Sequence, residues 1–503
     1  MQRQQCQCSF WPTLCCWLCR HHARVKIAKI NFTSFGGRVS VSQDSINLLN
    51  RQQCSSRAVA NRAAWLLKGR RPLQQCLADA VGSVLAENVQ APENVPPFPA
   101  SIKDGYAVVT ADGPGEYIVA FAAHAGHQQP RLQSGSVAYI TTGAPVPEGA
   151  DAVVQIENTE QLPDKQDGEK RIRIVKAASK AGEDIRAVGS DIQVGQTVLQ
   201  AGDLLGAAEI GILATVGAAT LKVHRTPVVA VLSTGDEVVE PTTQDLQPGQ
   251  IRDANRAMLV AACKVAGAQV VDLGIARDTE GHVQACLEKA IDQPVDVLVT
   301  TGGVSMGERD LIKPLLERHG KVHFGKVKMK PGKPLTFATI ELDSSSKRRM
   351  LVFGLPGNPV SSIVTFNLVV VPALHKMAGW QHPMPRRVHV RTSQDLKLDP
   401  ERPEYHRATV HWRRPPKVSD SHVGGEFAAE STGGQISSRL LSMRSANTLL
   451  EFPAARGTIP KGSVVSALLI QDIAGMPASE HLTPTASPAH YEFERKFEGF
   501  SQD

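Results

Sequence analysis

The 503-residue chain is poor in aromatic side chains, which make up 5% of it, so its cores must be built from Val, Leu, Ile and Ala. It lacks any long hydrophobic run. The apolar stretch SFWPTLCCWL near the start spans ten residues, too short to cross a bilayer, and no transmembrane segment is expected. Acidic residues are absent from positions 1–43, which hold Arg3, Arg20, Arg24, Lys26, Lys29 and Arg38. That leader accounts for the whole formal net charge of +6, so positions 44–503 are balanced. The basic balance therefore gives no support to nucleic-acid binding by the folded part.

Cysteine is scarce in the body as well. Cys6, Cys8, Cys15, Cys16 and Cys19 crowd the leader, and only Cys54, Cys76, Cys263 and Cys286 follow. This excludes a disulfide scaffold and predicts a reducing compartment, the cytosol. The leader's CQC and CCWLC suit a soft metal or a lipid anchor but lack the repeated CxxC pairs of a structural zinc site, and the simpler expectation is that residues 1–44 are disordered. The acid-free, arginine-bearing stretch 1–43 resembles a mitochondrial transit peptide, but without an amphipathic pattern. HExxH, GxGxxG and GxxxxGK[ST] are also missing, so a zincin-type zinc hydrolase, a dinucleotide fingerprint and a Walker loop all lack support.

Gly and Pro are plentiful, at 41 and 32, which favours short elements joined by tight turns. Apolar residues at Leu73, Leu77, Ala80, Val81, Val84 and Leu85 predict an amphipathic helix over 71–89. APENVPPFPA breaks it. Alternating runs between 101 and 177 predict a small β domain, and 181–217 reads as polar turns followed by an Ala-rich helix. From 227, strand and helix patterns alternate, ending in the apolar helix VSSIVTFNLVVVPALHKMAG, which implies a mainly parallel sheet covered on both faces. Past Pro383 only short strand candidates remain, a β-barrel or sandwich. SDSHVGGE (419–426) reads as a loop and the tail from Pro477 as mobile.

Ligands of an open parallel sheet sit outside the carboxyl ends of its strands. Three small-residue loops fall there: STGDE (233–237), TTGGVSMGERD (300–310) and GLPGNPVSS (354–362). Each is an ordinary tight turn or, taken with its neighbours, an anion cradle built from backbone N–H groups and helix N-termini. KMKPGKP (328–334) adds three lysines, with prolines fixing the bend. Asp253, Glu308 and Asp310 stand at helix starts, where acids serve as caps. Together they also suit Mg²⁺. Asp104 lies in a D-G turn. Cys263 and Cys286 occupy apolar helix positions, as core residues do.

In order, PPFPASIKDGYAVV, TTGAPVPEGADAVVQIE, GEDIRAVGSDI, LSTGDEV, IRDANRAML, TTGGVSMGERD, KMKPGKPLTFA, GLPGNPVSS, EYHRATV and SSRLLSMRSAN resemble the molybdopterin molybdenumtransferases, the family of bacterial MoeA and the gephyrin E domain. The resemblance covers about residues 72–475. It implies an α/β multidomain chain: an elongated dimerisation domain (45–97 and 178–223), a small inserted β domain (98–177), a doubly wound molybdopterin-binding α/β domain (224–378), a C-terminal β-barrel (379–475) and a mobile tail (476–503). It implies that adenylylated molybdopterin and molybdate give molybdenum cofactor and AMP, assisted by Mg²⁺.

By the same resemblance, Asp253, Ser305 and Asp310 form the nucleotide–metal site, with Asp253 and Asp310 as metal ligands. Thr234, Gly235, Gly302 and Gly303 line the pterin-nucleotide cradle. Lys330, Lys333 and Pro334 hold phosphate and molybdate, and Ser361, Arg407 and Ser442 form the molybdate pocket. Asp104 and Thr142 reach across a homodimer into the partner's site. Ser190 stands where bacterial relatives often carry Glu, and Glu308 where Asp is common. SVSQDSINLL (40–49) resembles a displaced first helix of the family. No adenylyltransferase motifs precede the match, so a separate protein is expected to supply the adenylylated substrate, and molybdenum enzymes to accept the product. Two alternatives are a molybdopterin adenylyltransferase, against which the PGKP motif and extra β domains weigh, and a gephyrin-like scaffold that binds receptor tails without catalysis.

Overall fold

The computed structural model describes residues 56, 59–60, 73–163, 169–303, 311–343, 348–413 and 425–471. The leader, the 40–49 segment, Ser305, Glu308, Asp310, most of the 419–426 loop and the tail from Pro477 lie outside the described residues.

The α/β region carries the main sheet. Its strands are β1 (Val228–Thr234), β2 (Gln269–Ala276), β3 (Val297–Thr301), β4 (Gly320–Gly325), β5 (Thr336–Asp343) and β6 (Arg348–Leu355), in spatial order β2-β1-β3-β6-β5-β4. The first four in that order are parallel, and β5 and β4 add an antiparallel hairpin at one edge. The hairpin corrects the expectation of simple β–α alternation. LTFATIELD follows the lysine loop directly, with no helical pattern between, so the chain turns back instead of crossing over.

Side-chain alternation along the central strands makes the sheet two-faced. Val229, Val231, Val297, Val299, Leu351, Phe353 and Leu355 pack on one side against α1 (Ala254–Val265) and α4 (Pro359–Met377). Ala230, Leu232, Leu298, Met350 and Val352 pack on the other against α2 (Glu280–Ile291) and α3 (Ile312–His319). Among the described residues, α4 alone has the length and composition of a membrane span. It is mostly buried, and it is a core helix whose middle, Phe366–Val370, widens into a π-turn.

The residues 71–89 do not form the expected helix. Leu73–Cys76 is a strand paired antiparallel with Thr220–Val223, followed by a 3-10 turn at Leu77–Asp79. Ala80 and Leu85 are buried against Leu205, Leu213 and Leu221, whereas Val81 is left exposed. The backbone N–H groups of Gly82 and Leu85 are taken by Leu205 and Asp203. Pairing with a distant strand has overridden a helical spacing only six apolar residues long. The Ala-rich helix expected at the end of 181–217 is Ala207–Thr215.

The small β region is a six-stranded sheet ordered Ala152–Gln155, Gly105–Val108, Ser136–Ile140, Gly115–Ala123, Arg171–Ile174, Thr159–Leu162. Towards the C-terminus, β7 (Arg387–Thr392), β8 (Glu404–Arg413), β9 (Glu426–Ser431), β10 (Thr448–Phe452) and β11 (Val464–Leu469) close into a barrel in the order β7-β9-β8-β10-β11. Closure leaves no free edge strand and settles the barrel-or-sandwich choice.

Candidate active site

Three expected loops meet at the carboxyl ends of the adjacent strands β1, β3 and β6. Gly302 is the closest point: its φ is +85°, and a Cβ there would lie 2.5 Å from the Thr234 carbonyl oxygen and 2.9 Å from Thr234 Oγ1. Glycine is thus required both by backbone conformation and by space. Gly303 follows it against the same threonine, the Gly235 N–H donates to the Ala276 carbonyl (3.1 Å), and the Gly302 N–H donates to Leu355 (3.3 Å).

Asn255, in the first turn of α1, ties the loops together. Its Nδ2 donates to Thr301 Oγ1 (2.8 Å) and to the Gly357 carbonyl (2.7 Å). Ser233 Oγ, Thr234 Oγ1 and Asn255 Oδ1 are buried around this point and have no hydrogen-bond partner among the described residues. Buried polar atoms without partners are costly, so a floor lined with them suits a polar ligand.

Asp253 is the N-cap of α1. Its Oδ1 accepts the Arg256 N–H (3.0 Å), and its Oδ2 faces Arg256 Nε at 3.2 Å. Arg256 also pairs with Asp272 (2.7 Å) and with Glu240. Burial disfavours the Arg256 charge, but its carboxylate partners outweigh this and raise its pKa. The Asp253 carboxylate is therefore already committed to a cap and a cation. Among the described residues no cluster of three or more His, Cys, Asp or Glu suits a metal ion, so this arrangement of Asp253 does not by itself fit Mg²⁺.

The lysine loop arrives at the same edge of the sheet, because Thr336 at the start of β5 pairs with Gly354 near the end of β6. Gly332 (φ +104°) lies so close to Thr365 of α4 that a Cβ would collide with it. Thr365 Oγ1 in turn donates to the Ser361 carbonyl (2.8 Å) one turn earlier in α4. The loop and the buried Ser361 are thus neighbours. Lys333 is exposed, Pro334 is half-buried, and Lys330 Nζ lies 3.1 Å from Glu404 and 3.4 Å from Asp399.

Those two acids belong to the barrel region, which supplies the last wall. Arg407 of β8 is fully buried, at 0% exposure. Its Nε donates to Ser442 Oγ (3.1 Å) and its Nη2 to the Ile436 carbonyl (3.3 Å), while Nη1 is buried without a partner. Gln435 holds the Arg407 backbone through its side-chain oxygen (2.8 Å) and nitrogen (3.3 Å). Burial pushes the guanidinium pKa down to about 10, partly offset by Glu404. At neutral pH it is still a cation, with one N–H pair free for an acceptor. The next residue, Ser437, accepts the Val360 N–H of α4 (3.1 Å), which fixes the barrel against the start of that helix.

Asp104 and Thr142 sit together in the small β region, where Asp104 Oδ1 accepts the Thr142 N–H (2.6 Å). Sequence reasoning thus picked pairs that the fold joins: Thr234 with Gly302 and Gly303, and Arg407 with Ser442. It missed Asn255, Gln435 and Glu404. Asn255 stands two residues after Asp253, and Glu404 three before Arg407, so position next to a candidate was the only available signal.

This is a multidomain architecture in which a doubly wound α/β domain and a closed barrel are joined through the lysine loop and the start of α4. Family models for the MoeA N-terminal region (domain I and II), a probable molybdopterin binding domain and the MoeA C-terminal region (domain IV) match residues 54–217, 230–376 and 389–470. A molybdopterin molybdenumtransferase of Haemophilus influenzae is 34% identical over 78% of this chain and 92% of its own length. The gephyrin of Dictyostelium discoideum is 40% identical over 79% of this chain. The chain spans 59% of the length of that gephyrin and of the Drosophila melanogaster molybdenum cofactor synthesis protein cinnamon. A crystal structure of the molybdopterin biosynthesis MoeA protein from Pyrococcus horikoshii matches with a TM-score of 0.65 and 29% identity, covering 82% of this chain and 99% of that one. The chain belongs to the molybdopterin molybdenumtransferase family.

Proposed function

We propose that this protein transfers molybdate to adenylylated molybdopterin, releasing AMP and forming molybdenum cofactor. The observation that carries the proposal is Arg407: a fully buried guanidinium with an unpartnered Nη1, beside Ser442 and at the junction with the lysine loop and α4. Molybdate is a tetrahedral dianion, and a buried, fixed Arg donor with hydroxyl and lysine neighbours is well suited to it. In this reading Arg407, Ser442, Ser361, Lys330, Lys333 and Pro334 form the molybdate subsite. Thr234, Gly235, Gly302 and Gly303 hold the pterin nucleotide at the strand ends, with Asn255 keeping the loops in register. Fixed cations stabilise the charge that develops when the phosphoanhydride breaks.

Ser305 and Asp310 complete the nucleotide end. Mg²⁺ would neutralise phosphate charge there, with Asp310 as its first ligand. Asp253 would join only by exchanging Arg256 for the metal. Asp104 and Thr142 act in the site of a second protomer, so the working unit is a homodimer. A molybdopterin adenylyltransferase supplies the substrate, and cytosolic molybdenum enzymes receive the product.

The test is AMP release from adenylylated molybdopterin and Mg²⁺ with and without molybdate. For the shared site, mixing Asp104→Ala with Asp310→Ala protomers is expected to restore part of the activity that each variant lacks alone. No recovery in mixed dimers would remove the shared site.

A further inference from the structure

Lys330 has a setting unlike that of its neighbour Lys333. Its backbone joins the barrel: the Lys330 N–H donates to the Pro403 carbonyl (2.9 Å), and the Tyr405 N–H donates to the Lys330 carbonyl (2.8 Å). Lys330 thereby forms a parallel bridge with Glu404, at the start of β8. The side chains follow the backbone. Glu404 is nearly inaccessible, with a side chain 3% exposed, and its Oε2 takes the Lys330 ammonium. Its Oε1 lies 3.3 Å from His406 Nδ1, and His406 Nε2 is 2.7 Å from Ser431 Oγ on β9. Asp399 is fixed as well, because its Oδ1 accepts the N–H groups of Glu401 and Arg402 (both 2.9 Å), leaving Oδ2 towards Lys330.

We propose that Glu404, supported by Asp399, is a positioning residue that sets the place of the Lys330 ammonium in the oxyanion subsite. The lysine belongs to a loop of the α/β region, yet its head is anchored to two carboxylates of the barrel region. A lysine has four rotatable side-chain bonds, so without such an anchor its charge would sample many positions. Burial alone would raise the Glu404 pKa, but His406 and Lys330 more than offset it and hold the group below the usual carboxylate range, so it stays an anion. Arg407, three residues on and fully buried, forms no ion pair among the described residues and keeps its free Nη1. The two cations therefore divide the work: Arg407 offers an open donor, and Lys330 presents a charge at a fixed point and with part of its field already balanced. Glu404 acts through Lys330, and no contact of its own with substrate is required.

This inference rests on the proposed function for its catalytic meaning, so the experiment has two arms. In the first, full-length wild type, Glu404→Gln and Asp399→Asn are treated briefly with acetic anhydride, and acetylation at Lys330 and Lys333 is read by mass spectrometry. Glu404→Gln is expected to raise Lys330 labelling about threefold or more while Lys333 is unchanged. Asp399→Asn, at a more accessible position, is expected to give a smaller rise and covers the case in which Glu404→Gln folds poorly. Unchanged Lys330 labelling in both variants overturns the proposal, whatever the enzyme's activity.

In the second arm, molybdate-dependent AMP release is measured for Glu404→Gln, Lys330→Met and the double variant. Glu404→Gln is expected to raise KM for molybdate about tenfold with a smaller change in kcat, and to have no further effect once Lys330 is Met. Additive losses would overturn the positioning role. If wild type releases no AMP while the labelling difference persists, the assigned reaction fails and the anchoring of Lys330 stands.

Discussion

Replacing Arg407 by Met separates a ligand-binding charge from a structural one. Burial that moves the guanidinium pKa to about 10 corresponds to a cost of about 3 kcal/mol for keeping the cation in place. The sign follows from proton counting. A base whose pKa is lower when folded binds fewer protons folded than unfolded, so the cost is complete below pH 10 and disappears as pH rises above it. Met removes the cost. It also removes the bonds to Ser442 and Ile436, each worth about 1.5 kcal/mol at the lower end for a charged donor. Met fills much of the same space, so little cavity remains.

The two effects nearly cancel, and Arg407→Met is expected to change unfolding free energy at pH 7 by less than about 1.5 kcal/mol. Ligand response is expected to differ sharply. Molybdate at one hundred times its Kd should stabilise the wild type by about 2.7 kcal/mol and the variant hardly at all. Urea unfolding with and without molybdate measures both quantities. A variant destabilised by more than about 3 kcal/mol would show that the guanidinium is a structural member. Equal protection of both proteins by molybdate would remove Arg407 from the oxyanion subsite.

Gly302→Ala places a Cβ against Thr234 at a backbone angle that alanine resists, and should cost about 1–3 kcal/mol and abolish protection by adenylylated molybdopterin in a thermal-shift assay; full protection would refute the close approach of the loops. Asn255→Ala leaves the Gly357 carbonyl and Thr301 hydroxyl without their donor, with an expected loss of about 1–3 kcal/mol in urea unfolding and a raised KM for the pterin substrate; an unaltered KM would leave Asn255 with no role in loop register. Glu404, Asp399 and Glu426 are held below the usual carboxylate range, despite burial, by His406, Lys330, backbone N–H groups and arginines. Their contribution is present above the unfolded value of about 4 and is lost as pH falls through the folded values. Stability should be level above about pH 5 and decline below it, and Glu404→Gln should make the decline shallower; an identical acid limb in that variant would contradict the assignment.

The α/β region was the most legible part of the chain. Its strands are continuous apolar runs covered on both faces, and its helices have long periodic patterns, so each element announced itself. The hairpin of β4 and β5 was harder, because nothing in the basic turn that joins them says that the second strand folds back to pair between β4 and β6. The 71–89 segment failed for a related reason. Ala80, Val84 and Leu85 are core positions, as their spacing suggested, but the cluster that Ala80 and Leu85 join is built from strands, a loop and a helix more than a hundred residues away. At the site, three small-residue loops drew attention to Thr234, Gly302 and Ser361, because one such loop is an ordinary tight turn and three at the ends of one sheet's strands are a stronger signal. Glu404 and Asn255 were silent in the sequence. A buried carboxylate in a strand and an amide in a first helical turn gain meaning only when the partner, Lys330 or Gly357, is brought to them by the fold.

The most direct test of the central claim is AMP release from adenylylated molybdopterin by the purified full-length protein in the presence of Mg²⁺, with molybdate as the variable. The account predicts release that rises and saturates with molybdate and is lost in Asp310→Asn and in Arg407→Met, with the fold of each retained. Release that is absent, or that proceeds equally without molybdate, would contradict it.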